Sequence, residues 1–112
     1  MAAPLVDAKS AQFVSLLDTC PIVPGATVSK PLLNAPEGKA VIFAMDQGQE
    51  ISEHRAPFLS TVHVLDGSLQ FAVGNQERQM GPHDWLLMPP NAPHRLTALA
   101  PTRFLLVLFK QA

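Results

Sequence analysis

The chain has 112 residues, a formal net charge of −1 and only 15% charged residues. This length supports one domain, and the 47% of hydrophobic residues supplies the material for one core. No basic stripe is available to neutralise phosphates, so the composition argues against nucleic-acid binding. No apolar run approaches the ~20 residues that a membrane-spanning helix needs.

The segment from Met1 to Asp7 has neither the basic start nor the long apolar stretch of a signal peptide. Cys20 is the only cysteine and cannot form an internal disulfide, which agrees with a reducing compartment. We interpret Cys20 as a small apolar core residue rather than a nucleophile. These features predict a cytoplasmic protein.

One short helix is predicted near the start of the chain, over residues 7–17. Asp7 is a candidate N-cap, and Ala11, Val14 and Leu17 recur at three-residue spacing. A helix of this length is marginal by itself, so we expect it to dock on the rest of the domain.

Beyond this helix, prolines and glycines separate short apolar runs, as is typical of an all-β domain. The predicted organisation is an N-terminal arm, residues 1–25, followed by a β-barrel domain, residues 26–112. Six strands are predicted, over residues 27–30, 40–45, 61–65, 69–73, 85–88 and 104–109.

Two of these strands, 40–45 and 104–109, are apolar without alternation. A strand of a small antiparallel barrel has one inner and one outer face, so an unbroken apolar run indicates that both faces are covered. We therefore predict a homodimer with an apolar interface and with Trp85 at its seam. The alternative is that the N-terminal helix alone covers these strands.

Two segments carry a spaced pattern of histidine, proline and glycine. Residues 48–67 read GQEISEHRAPFLSTVHVLDG, and residues 83–94 read HDWLLMPPNAPH. Together they resemble the two signature motifs of the cupin superfamily. In cupins the first motif is Gly, five residues, His-any-His, three or four residues, Glu, six residues and Gly. The second is Gly, five residues, Pro-any-Gly, two residues and His.

The positions that match are Gly48, His54 and Gly67 in the first motif and Pro89 and His94 in the second. The resemblance implies an all-β fold, a single cupin jelly-roll barrel (double-stranded β-helix), here with a short N-terminal helix. It implies little about function, because cupins include dioxygenases, isomerases, sugar binders, storage proteins and regulatory domains.

Four motif positions depart from the pattern, although the resemblance covers residues 41–109. Ala56 stands at the second histidine and Ser60 at the glutamate of the first motif. His83 replaces the opening glycine of the second motif, and Asn91 replaces the glycine that follows its proline. Asparagine tolerates the positive φ of a glycine turn, so we expect the turn at Asn91 to be kept.

A cupin metal site uses three histidines and a glutamate, and of these ligands only His54 and His94 remain. Tight binding of a divalent ion needs three or four protein ligands. We therefore expect no resident cofactor, or at most a weakly bound Zn, Fe, Mn or Ni held by His54 and His94.

Strand alternation predicts a set of side chains that surround these histidines inside the barrel. They are Val62, Val64, Leu69, Phe71, Leu86, Met88 and Leu96. Mostly apolar walls describe a small-molecule site and equally a filled core. The candidate ligand-binding residues are His54, His94, Ser60, Val62, Phe71 and Met88, and no catalytic residue is assigned.

The other polar residues of the two motifs are predicted to lie outside the barrel. His63, Glu53, Arg55 and Arg95 have the opposite parity, and His83 falls in a surface turn.

Three hypotheses for function remain open at this point. The leading one is a non-catalytic cupin that binds a small molecule in the barrel. The second is a metal-dependent enzyme, dioxygenase- or isomerase-like, with a reduced ligand set. The third is a dimeric structural or interaction module with a filled barrel.

Overall fold

The computed structural model describes residues 3–110, which form one helical turn and nine strands. No helix within these residues is long and apolar enough to cross a membrane. The elements are α1 (Leu16–Thr19), β1 (Thr27–Ala35), β2 (Gly38–Met45), β3 (Glu50–His54), β4 (Leu59–Asp66), β5 (Leu69–Val73), β6 (Gln76–Met80), β7 (Trp85–Met88), β8 (His94–Ala98) and β9 (Thr102–Phe109).

The strands form two antiparallel sheets that face each other. One sheet has the order β1-β2-β9-β4-β7 and the other β3-β8-β5-β6. From β2 onward the chain passes repeatedly between the two sheets, which is the jelly-roll arrangement. The predicted all-β barrel is confirmed.

The main core lies between the sheets and draws on both. Its fully buried members include Met45, Val62, Val64 and Leu69, and the ring of Phe43 stacks on that of Phe104 with centroids 4.8 Å apart. Burying a large apolar side chain in this way contributes about 1.5–3 kcal/mol relative to leaving it exposed. This shared core holds the two sheets together.

The predicted helix over residues 7–17 is wrong, because only the turn Leu16–Thr19 is helical. Residues 7–12 instead form a turn in which Gln12 Nε2 donates to the carbonyl of Asp7 at 2.6 Å. Val14 and Leu17 are exposed, so the apolar face that should have docked a helix has no partner within residues 3–110. Without docking, a helix of this length is not stable.

The end of the N-terminal segment packs on the outer face of the five-stranded sheet. Cys20 is fully buried with Ile42 and Ala44, as predicted for a core residue, and burial raises the pKa of its thiol. Arg103 fastens this segment, because it donates to the carbonyl of Leu17 at 2.7 Å while its guanidinium forms an ion pair with Asp66. The segment thus covers part of the outer face without forming the predicted helix.

Three strands were absent from the sequence prediction: β3, β6 and β8. β3 and β6 are the two edges of the four-stranded sheet. An edge strand buries few side chains, and β6 buries only Met80, so its sequence carries no apolar alternation. β1 also extends five residues beyond the predicted end, past an irregularity at Pro31.

Candidate functional site

His54 and His94 lie side by side on neighbouring strands. His54 ends β3, His94 begins β8, and the two are direct cross-strand partners. Their ring centroids are 4.0 Å apart with an interplanar angle of 61°, an edge-to-face contact. The two motif histidines therefore converge, as the sequence predicted.

A bulge in β3 makes this convergence possible. Ile51 pairs with Leu96 and His54 with His94. An advance of three residues along β3 therefore corresponds to only two residues along β8. In a regular strand, Ile51 and His54 would point to opposite faces. With the extra residue, both line the same interior chamber.

Both imidazoles are oriented by hydrogen bonds to their own strands. His54 Nδ1 contacts the carbonyl of Ser52 at 2.9 Å, and His94 Nδ1 contacts that of Ala92 at 3.0 Å. A carbonyl oxygen can only accept, so each Nδ1 carries the proton. In the neutral ring, Nε2 is then left with its lone pair.

The environment of His94 favours the neutral ring. Burial lowers the pKa of His94 below its ordinary value of 6.5; the hydrogen bond to Ala92 opposes this effect, and the nearby His54 adds to it. At neutral pH, the His94 Nε2 atom is therefore a hydrogen-bond acceptor.

The chamber beside these rings is small, with a volume of about 110 Å³. Apart from the two histidines, its walls are aromatic, aliphatic or thioether side chains. The lining residues are Phe43, Ile51, His54, Val62, Phe71, Met88, His94, Leu96, Phe104 and Leu106. The ring of Phe71 lies nearly parallel to that of His94, with centroids 6.1 Å apart.

Five of the six candidate ligand-binding residues line this chamber, and Ser60 does not. Ser60 is buried on β4 opposite Met88, outside the chamber wall. Val64 and Leu69 belong to the core around the chamber, and Leu86 packs against that core.

Four wall residues were missed by the sequence reasoning: Phe43, Ile51, Phe104 and Leu106. Phe43, Phe104 and Leu106 lie in β2 and β9, where both faces are apolar, so alternation gave no signal. Ile51 lies in the unpredicted edge strand β3.

The donor set does not fit a resident metal ion of the usual cupin kind. Ala56 has no donor atom, and Ser60 lies outside the chamber wall. Within residues 3–110, no three or more His, Cys, Asp or Glu side chains are grouped closely enough to hold an ion. Two imidazoles fall short of the three or four protein ligands that tight sites provide.

The charged residues flanking the histidines lie on the surface, as predicted. Arg95 contacts Glu77 at 3.3 Å and Glu53 at 3.9 Å, with all three side chains largely exposed. Such pairs contribute about 0–1 kcal/mol. Arg55 is exposed as well. None of these residues lines the chamber.

A larger open cleft of about 390 Å³ lies between the edge strands β6 and β7. Phe71 lines both this cleft and the histidine chamber. Trp85 and Arg78 are among the exposed side chains that line the cleft. A single aromatic ring therefore contributes to the walls of both spaces.

The model of the family described as "Cupin domain" matches residues 41–108, which is more than half of the chain. The chain belongs to the cupin family. No curated protein is similar enough in sequence to give a match.

Solved structures show the same fold at low sequence identity. A conserved protein of unknown function from Streptococcus pyogenes superposes with a TM-score of 0.85 at 23% identity, covering 99% of this cupin and 97% of that chain. A cupin superfamily protein from Desulfitobacterium hafniense DCB-2 gives 0.85 at 16% identity, covering 97% and 100%. An RmlC-like cupin from Shewanella frigidimarina NCIMB 400 gives 0.75 at 17% identity, covering 90% and 93%.

Proposed function

We propose that this cupin binds a small molecule in the chamber between its sheets, with His54 and His94 as the polar contacts. The observation that carries the proposal is the convergence of the two rings on one partly open, otherwise apolar space. Apolar walls with a few placed polar groups are the usual composition of a small-molecule site.

The protonation of the rings suggests which chemical group is recognised. Each Nδ1 donates to a backbone carbonyl, so each neutral ring offers a lone pair on Nε2. The complementary ligand group is a hydroxyl or an amine, which can donate a hydrogen bond. A carboxylate offers no proton and is the poorer partner.

The size of the chamber limits the ligand. Drug-sized sites begin at about 300 Å³, well above the 110 Å³ present here. The ligand is therefore a molecule of few heavy atoms, or one whose polar end alone enters the chamber.

Binding without turnover is the function that the chamber chemistry supports best. Its ten lining side chains include no carboxylate, thiol or hydroxyl. Acid–base catalysis would depend on imidazole alone, and the metal-dependent alternative has only two ligands.

A melting-temperature screen with small alcohols, polyols, amines and carboxylates tests the proposal. A ligand at a free concentration of ten times its Kd stabilises the folded protein by about 1.4 kcal/mol. In a domain of this size, that raises Tm by about 6–11 °C. We expect hydroxyl or amine compounds to raise Tm, and His94→Asn to abolish the shift.

The matched control is His63→Asn, which changes a histidine outside the chamber and should keep the shift. A shift that survives both His94→Asn and His54→Asn overturns the proposal, as does the absence of any shift across the panel. Near-stoichiometric iron, manganese, zinc or nickel in untagged protein, lost in His94→Ala, would favour the metal-dependent enzyme instead.

We also propose that the protein is a homodimer through the outer face of the five-stranded sheet. The N-terminal segment covers the β1–β2 side of this face but leaves an apolar patch open on β4, β7 and β9. The patch consists of Leu59, Trp85, Leu87 and Phe109, which are 37%, 61%, 47% and 45% exposed. A contiguous apolar patch of this kind marks an interaction site, and a second copy supplies a matching surface.

Light scattering tests this proposal directly. The chain mass is 12.1 kDa, so a dimer scatters as a particle of twice that mass. A monomeric mass at micromolar concentration contradicts the proposal.

We further propose a cytoplasmic location, supported by the single free thiol of Cys20. Fractionation of the source cells tests it, and recovery outside the cytoplasmic fraction contradicts it.

A further inference from the structure

The two sheets leave a gap where β6 and β7 run past each other. β6 is an edge of the four-stranded sheet, β7 is an edge of the five-stranded sheet, and the two strands are not paired. The cleft of about 390 Å³ lies in this gap. That volume falls within the range of about 300–1,000 Å³ of small-molecule sites, whereas the histidine chamber is smaller. A ligand that is too large for the chamber therefore has space beside it.

Arg78 projects into the cleft from the inner face of β6. Directly opposed residues of an antiparallel pair share a face of the sheet. Phe71 is the partner of Arg78, and Leu69 is the partner of Met80. Phe71, Leu69 and Met80 are all buried in the core between the sheets. Arg78 therefore faces the same side as these core residues, although it is exposed at the sheet edge.

The guanidinium of Arg78 is available to a ligand. The ion pairs formed within residues 3–110 involve Arg95 and Arg103 but not Arg78. Asp84 is the other charged residue that lines the cleft, and its Oδ2 accepts the backbone N–H of Gly81 at 2.9 Å. A planar guanidinium carries five N–H donors and fits a carboxylate in a two-point contact. The cleft thus offers a contact for an anionic group.

The cleft and the histidine chamber are neighbours on the same face of one sheet. Arg78, Phe71 and Leu96 are successive cross-strand partners on β6, β5 and β8. Leu96 follows His94 by two residues, so both face the same side of β8. Adjacent strands are about 4.7–4.9 Å apart, which places the backbone of β6 about 9–10 Å from that of β8. A ligand with a chain of several carbon atoms can therefore contact His94 and Arg78 together.

We propose that the ligand is a small hydroxy acid, with its hydroxyl in the chamber and its carboxylate on Arg78 in the cleft. The inference rests on the small-molecule site proposed above and adds the chemical class of the ligand. The chamber histidines accept a hydrogen bond from a hydroxyl, and Arg78 donates to the carboxylate that they would not bind well. Arg78 lies on the four-stranded sheet, outside the dimer face proposed on the other sheet.

Calorimetric titration with 6-hydroxyhexanoate and its neutral isostere 6-hydroxyhexanamide tests the proposal. The two compounds share the same chain and the same hydroxyl, and only the acid carries a charge. We expect the wild type to bind the acid roughly three- to tenfold more tightly, because the contact is charge-assisted but partly exposed. Hexanoate, which lacks the hydroxyl, should bind more weakly than 6-hydroxyhexanoate.

Arg78→Gln is the decisive variant, because it removes the charge and keeps a polar side chain. The acid should lose its advantage, while the affinity for the amide stays the same. Arg95→Gln is the matched control, since Arg95 is an exposed arginine on the outer face of the same sheet and should leave the preference unchanged. His94→Asn should weaken the binding of both compounds.

An inward-facing charge at a sheet edge also prevents unwanted strand pairing. That role alone would leave the wild type with equal affinities for the acid and the amide.

The outcomes separate this inference from the function on which it rests. Equal affinities in the wild type, a preference that survives in Arg78→Gln, or one that is lost in Arg95→Gln would overturn the hydroxy-acid assignment and leave chamber binding standing. Unchanged affinity for the acid in His94→Asn would place the acid outside the chamber and overturn the assignment as well. If the wild type binds none of these compounds, both proposals fail.

Discussion

Asn91 and His83 both occupy positions where cupin motifs carry glycine, and both have positive φ, +66° and +70°. At Asn91 the substitution has a local explanation, because asparagine tolerates this region better than most residues. The backbone N–H of Asn91 also donates to the carbonyl of Ala56 at 2.7 Å, which connects the β7–β8 turn to the segment after β3. The turn that presents His94 is therefore kept without glycine.

Asn91→Val should destabilise the protein, because a β-branched residue pays about 1–2 kcal/mol in the left-handed region. Tm should fall by about 4–16 °C, measured by thermal denaturation, whereas Asn91→Gly should leave Tm nearly unchanged. The control is Asn75→Val in the β5–β6 turn, where φ is not positive. Equal effects of valine at both positions would contradict this reading.

His94 should make stability depend on pH. Its pKa is lowered in the folded protein by burial, so between that pKa and the ordinary value of 6.5 the unfolded chain binds more protons than the folded one. The stability contributed by His94 is therefore complete above about pH 6.5 and is lost as pH falls through the folded pKa.

An NMR titration of the His94 ring protons checks this directly and should give a pKa below 6.5. Urea denaturation of His94→Asn from pH 7.5 to 5 should show a smaller loss of stability than the wild type. A measured pKa at or above 6.5 contradicts the argument.

At the scale of elements, the β4–β5 connection packs closely against the start of β9. Gly67 has a φ of +89°, and a Cβ there would collide with the carbonyl of Pro101 and with the hydroxyl and Cα of Thr102. The Thr102 hydroxyl accepts a hydrogen bond from the backbone N–H of Ser68. It lies within donating distance of the backbone carbonyls of Ser68 and Ala100. The closing glycine of the first motif is thus required by close packing as well as by conformation.

Gly67→Ala should cost roughly 2–5 kcal/mol, the sum of about 1–2 for the left-handed residue and about 1–3 for overpacking. Chemical denaturation measures the loss. Gly74→Ala is the matched control, because its φ of +58° is also positive but its Cβ meets no atom within 4 Å. If both variants lose the same stability, close packing at Gly67 has no energetic role.

The strands also show which elements a sequence pattern can predict and which it cannot. β4 and β5 have one buried and one wetter face, and both were predicted with nearly correct bounds. β3 and β6 were missed because an edge strand buries few side chains and carries almost no periodic signal. The bulge between Ile51 and His54 left no pattern at all, yet it aims His54 into the chamber.

At the scale of the whole molecule, the open apolar patch predicts that stability depends on protein concentration. If the folded dimer dissociates before or during unfolding, Tm rises as the protein is concentrated. Leu87→Glu places a charge within the patch and should give a monomer whose Tm no longer varies with concentration. Thermal denaturation over a hundredfold range of concentration measures this.

Leu99→Glu provides the matched control. Leu99 is 43% exposed, close to the 47% of Leu87, but it lies in the loop between β8 and β9 and outside the patch. It should leave the dimer intact. A wild-type Tm that is independent of concentration, together with a monomeric mass, would rule out the dimer.

The sequence by itself determined an all-β domain, because prolines and glycines between short apolar runs are local features that report turns and strand ends. Its resemblance to the two cupin motifs implied the jelly-roll class and pointed to His54 and His94. The same resemblance implied that only His54 and His94 remain of the four cupin ligand positions, since the residue types at those positions can be read directly. The tertiary structure alone decided that Ser60 is outside the chamber, that residues 7–17 form no helix, and that Arg78 lines the same cleft as Phe71. These outcomes depend on which faces find partners and on a one-residue bulge, and neither is encoded in any local pattern.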